Sequence, residues 1–74
     1  MQIQRTEDHL LFWNESGVCQ GSIYFWIEDD IKFFSSPLYR GYNRIENIFD
    51  IVKEPFLTAL LFNIDLLEEI FEGE

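Results

Sequence analysis

Apolar residues follow two different periods along the chain, and the change comes near residue 42. Before it, short apolar and aromatic runs alternate with turn-forming residues, which is typical of β-strands joined by tight turns. After it, apolar residues recur at intervals of three and four, which is typical of helices that bury one side. The pattern predicts one α+β domain over residues 1–74, with a sheet in residues 1–36 and two helices in residues 43–72.

Three apolar runs bounded by turn-forming residues predict three strands: His9–Trp13, residues 18–28 and Ile31–Ser35. The first strand either begins at His9 or extends back through Ile3. Pro37 ends the pairing because it has no backbone N–H to donate to a ladder, and residues 38–42 are expected to form a loop. Since tight turns join consecutive strands antiparallel, the first half is predicted to be a three-stranded antiparallel meander.

Two helices are predicted after the loop. Asn43 is suited to cap the first helix, with Glu46 three residues later, as in a capping box. Pro55 disfavours helical geometry at the residue before it and suits the first turn of a new helix. The second helix is therefore expected to run from residue 55 to about residue 71, with Gly73 just beyond its end. Both helices are expected to pack on one face of the sheet.

The predicted sheet carries large apolar side chains on both faces. Side chains alternate between faces along a strand, so Tyr24 and Trp26 lie on the face opposite to their apolar neighbours. Trp13 and one of Phe33 or Phe34 extend this second apolar face. One layer of helices covers only one face, so Trp13, Tyr24 and Trp26 are candidate partner-binding residues. The alternative is that the first residues or the 38–42 loop fold over them.

The second predicted helix is also unusually apolar. From residue 56 to residue 67, nine of 12 residues are apolar, which is more than a single buried stripe requires. The helix is therefore either central in the fold or shared with a second chain. Homodimerisation through this helix is one hypothesis.

Charge is the strongest compositional signal. Fourteen Asp and Glu residues against five Lys and Arg residues give a formal net charge of −9. This excess repels phosphate backbones and anionic lipid surfaces, so neither direct nucleic-acid binding nor membrane association is expected. It attracts positively charged proteins and accelerates their association.

Acidic side chains of the predicted helices are further candidate partner-binding residues: Glu46, Asp50, Glu54, Asp65, Glu68, Glu69 and Glu72. On continuous helices, acids spaced four apart would form rows. Like charges at this spacing destabilise a helix by about 0.2–0.5 kcal/mol per pair, which favours a functional reason for them. One interpretation is a rigid negative surface that mimics nucleic-acid phosphates. The other is a solvated face that only keeps an apolar domain soluble.

The residues that usually carry catalysis are sparse, and no enzymatic role, cofactor or metal is expected. His9 stands alone, and Cys19 is expected to be a packed, unreactive thiol because it alternates with core positions. The acidic run 28–30 lacks the spacing of a calcium loop. A single cysteine cannot form an internal disulfide, which favours a reducing compartment, the cytoplasm.

Two functions are consistent with these features. The first is a stoichiometric inhibitor that docks an acidic, aromatic-anchored surface on a basic, nucleic-acid-handling protein, as an anti-defence or toxin-immunity protein would. The second is a structural or assembly subunit, or a homodimer, that buries its surplus apolar surface in a permanent complex. Salt discriminates between them, because charge-driven association weakens as ionic strength rises and apolar assembly does not.

Overall fold

An antiparallel sheet of five strands, arranged in sequence order, dominates the first half of the chain. The computed structural model describes residues 1–72. The prediction of an α+β fold with an antiparallel sheet is confirmed, and two of the strands have the predicted bounds, whereas the first and last are additions to the predicted three-stranded meander. The strands are β1 (Gln2–Arg5), β2 (His9–Trp13), β3 (Cys19–Glu28), β4 (Ile31–Ser35) and β5 (Asn43–Arg44).

β1 forms because the chain turns back before β2 instead of extending it. The Thr6 N–H donates to the His9 carbonyl at 2.9 Å, and the His9 N–H donates to Thr6 Oγ1 at 3.0 Å. Ile3 consequently pairs beside Phe12 on the neighbouring strand. The optional extension of the first predicted strand through Ile3 is therefore wrong.

Asn43 begins β5 rather than capping a helix. Its side-chain amide donates to the carbonyl oxygens of Tyr39 at 2.7 Å and Phe34 at 3.2 Å, so it ties the preceding loop to β4. Helical turns begin only at Ile45. The predicted cap at Asn43 is wrong because pairing with β4 places this residue in the sheet.

A two-residue turn joins β3 to β4. Asp29 and Asp30 both have positive φ, at 54° and 65°, and the flanking residues Glu28 and Ile31 pair directly. Two consecutive left-handed residues define the turn type whose twist matches that of an antiparallel hairpin. Aspartate tolerates this conformation better than most residues, but it lacks the freedom of glycine.

The helical half is more broken than predicted. A single 3-10 turn (Ile45–Asn47) leads into α1 (Ile48–Ile51), and the backbone becomes extended at Val52, with φ −75° and ψ 136°. α2 (Phe56–Phe62) and α3 (Ile64–Glu72) replace the single second helix. The predicted boundary at Gly73 lies outside the described residues.

Asn63 divides α2 from α3. Its side-chain amide donates to the Ala59 carbonyl at 2.8 Å, and that oxygen is the acceptor that the Asn63 N–H would use in a continuing helix. The Asn63 N–H donates to the Leu60 carbonyl instead, at 3.0 Å. A short polar side chain that competes with the backbone in this way explains why the helix ends here.

The helices pack on one face of the sheet, as predicted. Apolar side chains from both layers form one buried cluster between them. Its largest fully buried members are Leu10, Phe12 and Phe34 from the sheet, with Ile48, Val52, Leu60 and Leu67 from the helical segments.

Two basic residues of the sheet also hold α3. The Lys32 ammonium donates to the carbonyl oxygens of Ile70 and Phe71, in the last turn of the helix. A cation at this end satisfies carbonyls that have no partner within the helix and complements its dipole. Arg5 binds the Glu69 carboxylate at 2.6 Å. These contacts orient α3 across the sheet.

Replacement of Asp30 by glycine tests the strained turn. Asp30→Gly is expected to raise the free energy of unfolding by about 0.5–1 kcal/mol, because glycine adopts positive φ without the steric cost of a Cβ. Urea unfolding measures the change. Asp30→Ala is the matched control, since it removes the same charge but keeps the Cβ. Equal stabilisation by both variants would mean that the charge of Asp30, and not its backbone conformation, limits the stability of the turn.

Candidate protein-binding surface

The face of the sheet opposite the helices carries a contiguous group of aromatic side chains. Residues directly opposite each other on paired strands share a face, and the pairs His9 with Tyr24 and Trp26 with Phe33 lie on this outer side. Tyr42, from the loop before β5, joins them. We call these five residues, His9, Tyr24, Trp26, Phe33 and Tyr42, the aromatic face.

The rings of the aromatic face hold one another in place. Tyr24 and Trp26 stack, with centroids 5.2 Å apart and an interplanar angle of 17°. Tyr42 meets Trp26 and Phe33 edge-on, at centroid distances of 5.5 Å and 5.3 Å. His9 lies 5.2 Å from Tyr24 at the other end. Stacked and edge-on contacts of this kind contribute about 0.5–1.5 kcal/mol each, so the surface is ordered before any partner arrives.

The aromatic face is open to solvent. Tyr24 is 39% exposed and Tyr42 is 68% exposed. The first residues pair beside β2 as β1 rather than crossing this face, and the 38–42 loop adds Tyr42 to it without enclosing it. Of the alternatives raised by the sequence, the uncovered face is the one observed within residues 1–72.

Trp13 lies on the same side of the sheet but apart from the aromatic contacts. It is half-buried, and its indole N–H donates to Gln4 Oε1 at 3.0 Å. The structure thus joins two of the three predicted anchors, Tyr24 and Trp26, and separates the third. It selects Phe33 over Phe34, which is fully buried. Tyr42 carried no signal in the sequence, because a loop residue has no periodicity to assign its face.

Carboxylates border the aromatic face. Glu28 accepts from the Trp26 indole N–H at 3.3 Å, and Asp8 lies 2.8 Å from the His9 ring nitrogen Nδ1. On the β5 side, Glu46 lies 3.9 Å from Arg44, which pairs across from Phe33. The rim therefore combines three acids with one base.

The predicted acidic row is not formed. Glu46 lies in the 3-10 turn, Asp50 in α1 and Glu54 beyond the end of α1, so the three do not share one helical face. The Glu54 carboxylate instead accepts from the Thr58 N–H at 3.2 Å, at the start of α2. The cause is the extended backbone at Val52, which ends the helix two residues before Glu54.

The acids of α3 lie on the other side of the molecule from the aromatic face. Asp65, Glu68 and Glu72 are exposed on the helical layer, and Glu69 is exposed but bound to Arg5. Because the helices cover the inner face of the sheet, these carboxylates and the aromatic rings point to opposite sides. The single acidic and aromatic surface predicted from the sequence is therefore two separate surfaces.

Cys19 is exposed, contrary to the prediction of a packed thiol. The pairing of β2 with β3 shifts between Phe12, opposite Gly21, and Trp13, opposite Cys19. Gln20 is thus an extra residue on β3, a bulge that moves Cys19 to the outer side. Simple alternation places Cys19 on the wrong face for this reason.

A second exposed apolar group lies at the α2–α3 junction. Leu61 is 55% exposed, Phe62 is 84% exposed and Ile64 is 38% exposed. α2 buries Ala59 and Leu60, so Leu61 and Phe62 lie on its outer side, and Ile64 follows at the exposed start of α3. Part of the apolar surplus predicted for the second helix is therefore on the surface.

Comparison of the chain with protein-family models, curated proteins and solved structures found no match. Within residues 1–72, no helix has both the length and the apolar character to cross a bilayer. The same residues bring no group of three His, Cys, Asp or Glu side chains together in a way that suits a metal ion.

A pair of alanine substitutions tests the assignment of inner and outer faces. Phe34→Ala is expected to lower the free energy of unfolding by about 3–5 kcal/mol, as buried phenylalanines do. Trp26→Ala is expected to cost less, about 1.5–2 kcal/mol, because it loses three partly solvated ring contacts but opens no buried cavity. Urea unfolding of both variants measures the contrast. A cost for Trp26→Ala as large as that for Phe34→Ala would place Trp26 in a second core.

Proposed function

We propose that this chain is a cytoplasmic protein-binding domain that acts as a stoichiometric inhibitor of a basic, nucleic-acid-handling protein. The observation that carries the proposal is the exposed, pre-ordered aromatic face. Soluble monomers rarely keep such patches without an interaction to make. No cofactor, metal or catalytic step is part of the proposal.

The geometry of the aromatic face favours a protein ligand. Trp26 and Tyr24 are the residue types most enriched among interface hot spots, and they lie together near the centre of the group. Because the rings already contact one another, their ordering costs little on binding. The broad outer side of a sheet, unlike a deep cleft, suits the flat surface of another protein.

The carboxylates on the rim favour a basic partner. Asp8, Glu28 and Glu46 border the rings, where Lys and Arg side chains of a docked protein would meet them. The acids of α3 act differently, because the molecule is about 20 Å thick and charges are largely screened beyond about 10 Å at 0.1 M salt. They therefore add little to the attraction at the aromatic face at this salt concentration. In this proposal, only the rim carboxylates stand in for nucleic-acid phosphates.

One observation favours the second candidate, an assembly subunit or homodimer. The apolar group of Leu61, Phe62 and Ile64 lies on the helical layer, and it is exposed in the isolated chain. A permanent interface formed there would bury an apolar surface that the inhibitor proposal leaves unused. Such an interface would be insensitive to salt.

Affinity capture with three baits separates the two functions. The baits are the wild type, a Tyr24→Ser, Trp26→Ser double variant, and Phe62→Ser as the matched control on the opposite layer. For the inhibitor, the wild type and Phe62→Ser should retain the same basic protein at low salt and release it at high salt. Loss of both aromatic anchors should weaken the purified complex at least about 30-fold, which corresponds to one hot spot.

Sedimentation of the purified complex completes the test. A one-to-one complex is expected for a stoichiometric inhibitor. Salt-resistant self-association that is lost in Phe62→Ser and kept in the double variant would contradict the inhibitor and support the homodimer. Capture that is unaffected by the double variant would remove the aromatic face from the binding surface.

A further inference from the structure

β3 extends well beyond its partner β4. The pairing of the two strands runs from Glu28 opposite Ile31 to Tyr24 opposite Ser35, and the chain then leaves the sheet. In the following loop, the Ser36 N–H donates to the Tyr39 carbonyl at 3.2 Å, and the Tyr39 N–H donates to the Ser36 carbonyl at 3.1 Å. These backbone groups bond within the loop and not to β3. The first half of β3 is paired with β2 on one side, and on the other side β4 does not reach it.

Within residues 1–72, the register gives the backbone groups of Ser22 no partner on this open edge. Backbone N–H and C=O groups of an antiparallel strand point to its two neighbours at alternate residues. The Phe25 N–H donates towards β2, to the Asp8 carbonyl. The backbone N–H and C=O groups of Tyr24 and Ser22 therefore point away from β2, towards the side of β4. Tyr24 pairs with Ser35, and the residue that would continue the register opposite Ser22 is Pro37, which has no N–H.

An apolar cavity of about 260 Å³ lies against this edge, under the inner side of β3. The Phe56 ring packs directly on Gly21, where a Cβ would lie 3.1 Å from it, and both residues form part of the cavity wall. Small-molecule sites are usually about 300–1,000 Å³, so this cavity has room for little more than one bulky side chain. Its apolar lining includes Phe12, Gly21, Ile23, Leu38, Tyr39 and Phe56.

The wall of the cavity formed by the loop is fixed. The Tyr39 hydroxyl accepts from the Lys53 N–H at 3.0 Å, and the Tyr39 carbonyl accepts from the Asn43 side chain at 2.7 Å. Leu38, in contrast, is 70% exposed at the rim. In the described part of the chain, the site therefore combines a rigid apolar cavity with the unpaired backbone N–H and C=O groups of Ser22.

We infer that the open edge of β3 binds an extended segment of a partner protein. The segment adds a short strand where β4 stops, exchanges backbone hydrogen bonds with Ser22, and inserts one large apolar side chain into the cavity. This is the general mode of strand addition, in which main-chain bonds give affinity and a side-chain pocket gives specificity. The site is separate from the aromatic face, so the inference goes beyond the proposed function.

The negative charge of the domain indicates which kind of partner segment binds at the open edge of β3. With a net charge of −9, the domain favours a segment whose outward side chains are Lys or Arg. A second copy of this chain is disfavoured, because edge-to-edge pairing would bring two strongly negative molecules together. The occupant is therefore a basic segment with a central aromatic or large aliphatic residue.

A synthetic peptide tests the site on the full chain. The probe has seven residues in the order Lys-Val-Lys-Phe-Lys-Val-Lys, with blocked termini, so that lysines and apolar residues alternate between faces. Titration followed by amide resonances is expected to shift Ser22 and the cavity residues. Replacement of the probe's phenylalanine by serine, or N-methylation of the two lysines beside it, should each weaken binding at least tenfold.

Two variants of the protein and one control complete the test. Ser22→Pro removes the edge N–H at a position where an edge strand tolerates proline. Leu38→Ser removes an exposed apolar side chain from the cavity rim without changing the charge, and leaves the core intact. Each variant should lower the affinity for the peptide at least tenfold, whereas Trp26→Ser on the aromatic face should leave that affinity unchanged. The Trp26→Ser control also separates failure of this inference from failure of the proposed function.

Three outcomes would overturn the inference. The first is the absence of saturable peptide binding. The second is binding that N-methylation of the probe, Ser22→Pro and Leu38→Ser all leave unchanged, which would show electrostatic attraction alone. The third is self-association of the wild type that Ser22→Pro abolishes, which would make a second copy the occupant.

Discussion

One helical layer packs against one face of the sheet, and this one-sided packing determines which side chains stay exposed. The helices bury the side that carries Leu10, Phe12, Ile23 and Phe34, and in a chain of 74 residues little apolar material is left to cover the other side. The outer face nevertheless carries large aromatic side chains. Both the open aromatic face and its separation from the acids of α3 follow from this one-sided arrangement.

The strands were predictable where the local signal was strong. Short apolar runs between turn-forming residues were enough for β2 and β4. β1 and β5 are short strands that depend on their neighbours, and so periodicity does not reveal them. The helix bounds were mispredicted for a similar reason. The Asn43 side chain bonds to the loop beside β4 and does not cap a helix, and the Asn63 side chain takes a carbonyl that the helix backbone would use. Such roles depend on contacts that are not visible in a linear pattern.

The candidate surfaces were predictable only in part. Alternation identified Tyr24 and Trp26, but the choice of Phe33 over Phe34 requires the register of the β3–β4 hairpin. The bulge at Gln20 reverses the expectation for Cys19. The open edge at Ser22 depends on the difference in length between β3 and β4, which no single residue signals. The seven candidate acids between Glu46 and Glu72 are all exposed, but Glu46, Asp50 and Glu54 do not form the predicted row because the first helix ends early.

The proposed binding surface exists only if the aromatic face is uncovered in the free monomer. A soluble paramagnetic agent probes this through its effect on the ring protons, in a sample that sedimentation shows to be monomeric. Strong relaxation is expected for the Tyr24 and Tyr42 protons, whereas those of Phe12 and Phe34 should be unaffected. Equal protection of all four rings would show that the outer face is enclosed within a single chain and is not a free binding surface.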